Sequence, residues 1–185
     1  MLGRVLKGLP VQWPETPKSE ERVRSRMSEQ EDRGQDGRFL VTHAEADSAV
    51  LKDVDRGQVH TLSENPGVES GDLVEGTVTP EPPLEVTYRL VDLEVRRTLT
   101  VEESPEPPTR QERELAAEQS TGELTKRERA GEGEIHVLAV PEAETEAAVE
   151  DVLNDEATLV RAARLGVERV EIRSDSGVVS IRYLP

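Results

Sequence analysis

Leu84-Glu-Val-Thr-Tyr-Arg-Leu-Val-Asp-Leu-Glu-Val95 is the stretch on which the fold turns. Apolar and polar side chains alternate with period two, so a strand here has one wet and one buried face. The phase slips near Leu90-Val91, where two apolar residues stand together, and a β-bulge or strand break accounts for the slip. Upstream, Arg38–His43, Ala49–Val54, Gln58–Leu62 and Asp72–Thr79 are further runs rich in β-branched residues, and the run from Leu84 continues to Val101. Turn chemistry separates them. Asp55-Arg56-Gly57 suits a three-residue hairpin loop with the glycine left-handed, and Asn65-Pro66-Gly67 suits a type II turn. Five or six short strands spaced roughly ten residues apart predict a small closed barrel, OB-like or SH3-like.

Downstream the pattern changes. Pro-Glu-Pro-Pro stands at 80–83, as a kinked connection, and again at 105–108, where it ends the barrel. Thr109-Arg-Gln-Glu112 reads as a capping box. The helix it opens has only Leu115, Ala116, Ala117 and Leu124 as apolar content, so it is expected to be an exposed linker, broken near Gly122 and ended by Gly131-Glu-Gly133. Ile135–Val140 reads as a strand. Pro141 then opens a helix with Glu142, Glu144 and Glu146 in its first turns and Val149, Val152 and Leu153 as its apolar face. Asn154 or Asp155 caps further turns carrying Leu159, Val160 and Ala163 to a stop at Gly166. Val167–Arg173 and Val178–Tyr183 alternate around Asp175-Ser-Gly177, a hairpin. The expected class is α+β. A small β-barrel occupies 37–103, a Pro-rich linker with an exposed helix 104–132, and a β-α-α-β-β unit 133–185.

Composition sets the outer bounds. The chain has 185 residues, no cysteine and a formal charge of −16, which fits one or two small domains and excludes a disulfide framework or cysteine chemistry. It has no run of about 18 apolar residues, so no membrane-spanning helix is expected. Acid excess combines with scarce lysine, 4 against 19 arginines, and a Val-rich core. Together they read as a cytoplasmic protein of a salt-rich cell, where charge repulsion is screened. Residues 1–26 carry a net +3 and the rest a net −19. With residues 28–37 polar, Gly-rich and read as disordered, 1–36 is read as a disordered or spurious leader, the natural start lying at Met27.

Gly37-Arg-Phe-Leu-Val-Thr-His43, the Leu62-Ser-Glu-Asn-Pro-Gly67 turn, Arg127-Glu-Arg-Ala-Gly-Glu-Gly133 and the tail from Leu159 to Pro185 carry a likeness. Over Gly37 to Pro185 the chain resembles an uncharacterised protein family of haloarchaea, a domain of unknown function. The resemblance implies an organism class and no catalytic residue.

Chemistry is sparse. His43 and His60, with Glu45 or Asp47, are the nearest thing to a metal-ligating set, but they lack diagnostic ligand spacing, so no metal, cofactor or catalytic residue is assigned. No phosphate loop, dinucleotide fingerprint or nucleophile elbow occurs. The expected function is non-enzymatic: a binding or adaptor protein acting through contacts with a protein partner. The alternative is an RNA- or DNA-binding accessory factor. It would stack bases on Phe39 and Tyr88 beside Arg38, Arg89, Arg96 and Arg97, with Arg169, Arg173 and Arg182 of a net-basic tail as a second patch. Arg169, Arg173 and Tyr183 are expected on one sheet face. Against this, eight acids and no lysine or arginine in 134–158 offer partners that neutralise those arginines within the domain.

Overall fold

The computed structural model describes residues 34–129 and 131–185. The basic leader, the start at Met27 and residues 28–33 lie outside the described residues. Of the stretch expected to be disordered, Gln35, Asp36 and Gly37 instead open the first strand.

Strands β1 (Gln35–Ala44), β2 (Ala49–Asp53), β3 (Val59–Leu62), β4 (Asp72–Pro80) and β5 (Tyr88–Thr98) form a closed barrel in the order β1-β2-β3-β5-β4. Within it the pairs are antiparallel except for a parallel seam where Leu62 of β3 meets Tyr88 of β5. Of the two barrels expected, this is the OB-like one. Turn glycines behave as the sequence requires: Gly57 and Gly67 take φ of 75° and 91°. Asn65 Oδ1 accepts from the Gly67 and Val68 amides to lock its turn. The bulge lies at Val91, since Leu90 faces Val78 and Asp92 faces Thr77.

The stretch 84–101 is not one strand. Residues 84–87 belong to the loop, β5 stops at Thr98, and Leu99 hands the chain to β6 (Thr100–Glu103), which belongs to a second sheet. Next comes α1 (Arg110–Ala117) with the capping box in place: Thr109 Oγ1 accepts from the Glu112 amide and Glu112 Oε2 from the Thr109 amide. This helix is no exposed linker, because Ala116 is buried against Val137 and Ala139. Nor does a helical stretch run on to Gly131. Leu124-Thr-Lys-Arg-Glu128 lacks a helical apolar stripe and satisfies its backbone as β7 (Leu124–Glu128), paired with β8 (Glu134–Ala139).

The β-α-α-β-β order follows as expected. After β8 come a 3-10 turn (Glu142–Glu144), α2 (Thr145–Asn154), α3 (Glu156–Leu165), β9 (Arg169–Asp175) and β10 (Val178–Leu184). Asp155 Oδ1 caps α3 through the Ala157 amide, and Gly166 ends it in the left-handed conformation. The sheet order is β6-β9-β10-β8-β7, with α1 on one face. On the other, Val149, Val160, Ala162 and Ala163 of α2 and α3 pack on Val170, Ile172, Val179 and Ile181.

That second core includes barrel residues. Phe39 and Val41 point into the barrel, while Leu40 between them joins Val54, Leu73 and Leu99 in the core of the C-terminal sheet. Two arginines tie the seam: Arg38 donates to the Ala163 carbonyl and Arg164 to the Val54 carbonyl. Residues 34–185 accordingly pack as one unit.

Candidate functional site

The residues assigned to nucleic-acid contact are placed as follows. Phe39 is fully buried in the barrel and presents no ring face to a base, which removes it from the site. Tyr88 is half-buried, its ring edge-on to His60 at 4.5 Å. The seven arginines all face carboxylates. Arg38 binds Asp55 at 2.7 Å. Arg89 binds Glu81 at 2.7 Å, and Arg96 binds buried Asp72 at 2.7 Å and also the Gly67 carbonyl. Arg97 lies 3.7 Å from Glu168 and Arg169 lies 3.9 Å from Glu102. Arg173 meets Glu171 at 2.5 Å and Glu106 at 2.6 Å, while Arg182 meets Glu171 at 3.2 Å. Burial works against the Glu171 charge, but the Arg173 hydrogen bond and the surrounding guanidinium charges win and hold its carboxyl below the usual range. Tyr183 does not share a face with Arg169 and Arg173. It stands opposite Val170 in the register of β9 and β10, so it joins the core under α2 and α3.

The histidines divide in the same way. His43 pairs on the surface with Glu45 at 3.3 Å, whereas His60 is buried between the rings of Phe39 and Tyr88 with neither ring nitrogen bonded. The two do not share a site. Burial pulls the His60 imidazole below its usual value, so it is a neutral core group. His136, given no role from the sequence, lies in a cluster of its own. Its Nε2 is 2.9 Å from Glu134 Oε2, and Glu134 also takes a two-point contact from Arg161. The Arg161 hydrogen bonds, with His136 in support, outweigh burial and hold the Glu134 carboxyl down at about 2. Beside it, burial pushes the Tyr183 hydroxyl up to about 12.

The most unusual surface is the β4–β5 hairpin. Leu84 and Val86 in its loop are 77% and 70% exposed, and Val91 and Leu93 on its second strand are 50% and 43% exposed. The sequence pattern assigns one face of this segment to the interior. The bulge at Val91 and the shortened strand turn these side chains outward instead. Exposed Asp92 and Glu94 flank them.

A family model described as a family of unknown function, DUF5812, matches residues 35–174, about three quarters of the chain. The chain belongs to that family. The DUF5812 match begins at the first residue of β1 and runs almost to the end of β9, so it takes in both the barrel and the C-terminal sheet. No curated protein and no solved structure matches the chain. No helix of the described residues is long and apolar enough to cross a membrane.

Proposed function

We propose that this protein is a non-enzymatic binding or adaptor module that holds a protein partner through the β4–β5 hairpin, in the cytoplasm of a salt-rich cell. The observation that carries the reading is the exposure of Leu84, Val86, Val91 and Leu93 along one hairpin. Aliphatic side chains scattered singly on a surface need no explanation, but four on one hairpin mark an interaction surface. Asp92 and Glu94 beside them favour a partner whose apolar surface carries a basic rim. The salt-rich setting rests on the acid excess and the scarcity of lysine. Nucleic acid is the second reading, and it is less well supported. Each of its arginines already faces a carboxylate, so a phosphate must displace an ion pair at every contact.

The test is affinity capture by the full chain in multimolar salt from the native lysate, with and without nuclease, beside a Leu84→Glu/Val86→Glu variant. Both positions are exposed, so the variant keeps its fold. The reading expects a stoichiometric protein that the wild type retains after nuclease and the variant loses. Capture that disappears with nuclease favours the nucleic-acid reading, and equal capture by the variant removes the hairpin from the interface.

A further inference from the structure

A cleft of about 470 Å³ opens between β2 of the barrel, α3, and the β7–β8 side of the second sheet. The chain has four lysines, and the two among the described residues, Lys52 and Lys126, both line it, 74 positions apart in sequence. Arg161 and Arg164 complete its cationic wall, in a chain of net charge −16. The carboxylates in contact are fewer: Glu134 on Arg161, Glu156 on Lys52, and Asp155, which is occupied as the α3 cap. Lys126 is exposed and makes no ion pair or hydrogen bond among the described residues. Lys52 gives one N–H to Glu156 and keeps two, while Arg164 uses Nε on the Val54 carbonyl and keeps its Nη groups.

The floor is apolar. Leu124 and Leu138 face each other across β7 and β8, and the next row places Lys126 beside His136 and His136 beside Ile181. We propose that this cleft binds a small organic anion, its phosphate or carboxylate group held by Lys126, Lys52 and Arg164 and its apolar or aromatic body laid against Leu124 and Leu138. The volume lies within the range of small-ligand sites, and a few convergent polar groups over apolar walls is their usual make-up. Glu134 holds Arg161 and His136 in place at the inner end and leaves the outer cations to the ligand.

The test follows amide and methyl NMR signals of the full chain, in the lowest salt that keeps its native spectrum. Phenyl phosphate and phenylacetate serve as the two anionic probes; benzyl alcohol and inorganic phosphate are the controls. Saturable shifts confined to Lys52, Leu124, Lys126, His136, Leu138 and Arg164 are expected with at least one probe, phosphate and carboxylate sources being told apart by which one saturates. Lys126→Gln is expected to weaken binding about five- to tenfold and Lys126→Arg to restore most of it. Lys126→Gln is a surface change, and an otherwise unaltered spectrum verifies its fold. Absence of saturable shifts with both anions, equal binding of benzyl alcohol, or unchanged binding by Lys126→Gln overturns the assignment; equal binding of inorganic phosphate removes its apolar half.

Discussion

Gly76 of β4 sits where two irregularities in the pairing with β5 bring the β5 backbone close against it. A Cβ at this position falls 1.9 Å from the Asp92 carbonyl oxygen, a backbone atom that cannot move without breaking the barrel pairing. Gly57, by contrast, has nothing within 4 Å of its would-be Cβ and is glycine only because its φ is 75°. The two alanine substitutions therefore separate steric from conformational cost. Gly57→Ala is expected to destabilise by about 1 kcal/mol, the left-handed penalty alone. Gly76→Ala is expected to cost about 3 kcal/mol or more and to broaden or shift amide signals across β4 and β5. Chemical denaturation checks both, and equal losses contradict the close approach. The Gly57 cost is legible in the sequence, as the left-handed position of a hairpin loop, whereas the Gly76 cost depends on the Asp92 backbone that only the fold brings over it.

At the scale of elements, the joint between β5 and β6 is the informative piece. The Leu99 amide donates to Gly71 in the barrel, the Thr100 amide donates to Glu168 beside the second sheet, and the Leu99 side chain is buried in the shared core. Leu99→Ala is expected to cost about 2–5 kcal/mol. Because Leu40, Leu73 and Val54 of the barrel enter that same core, the barrel and sheet are expected to unfold together. Amide exchange at Phe39 in the barrel and Ile172 in the sheet should report one opening free energy, lowered equally by Leu99→Ala. A barrel that exchanges independently of the sheet contradicts the shared core. Helix α1 and strand β7 carry the same lesson from the other face. The helix holds too little apolar surface to predict burial, yet Ala116 covers a sheet face that needs covering, while β7 extends the sheet's edge beside β8 with its side chains largely exposed.

For the whole molecule, charge and pH pull in opposite directions. Self-repulsion from the net −16 falls as pH drops from 7 toward the isoelectric point near 4.7, which favours the folded state. Below that, the paired carboxylates decide. Glu134 is held at about 2, and Asp53, whose burial is outweighed by the Arg56 and Asp55 amides and the Arg56 side chain, is also held low. A group lowered on folding contributes stability above its unfolded value, which is lost as pH falls through the folded one. For Glu134 the window runs from about 4.5 down to about 2. Between pH 7 and 5 the relief of repulsion is opposed by buried His60, whose lowered imidazole loses stability as pH falls below its unfolded value of 6.5. Stability measured by thermal melting is therefore expected to stay roughly level there and then to fall steeply below about pH 4.5. Added salt should raise the pH 7 value most, since repulsion is greatest there. Glu134→Gln should flatten the acid limb, and an unchanged limb contradicts the assignment.

Local chemistry by itself determined where the barrel's strands lie, though not that the run 84–101 divides, and also a bulge or break near Leu90-Val91, the hairpin turns, the Thr109 capping box, a cap at Asn154 or Asp155 and the β-α-α-β-β order. Each follows from side-chain periodicity or from the backbone angles that a few residues permit. Tertiary structure alone decided that Phe39 is core, that Arg169, Arg173 and Arg182 pair with Glu102, Glu106 and Glu171 rather than with the acids of 134–158, that Tyr183 turns away from Arg169, and that Lys52 and Lys126 line one cleft. Those facts depend on which strands become neighbours. Neighbours distant in sequence are chosen by the burial of apolar faces over the whole chain, and no local pattern of residues carries that choice.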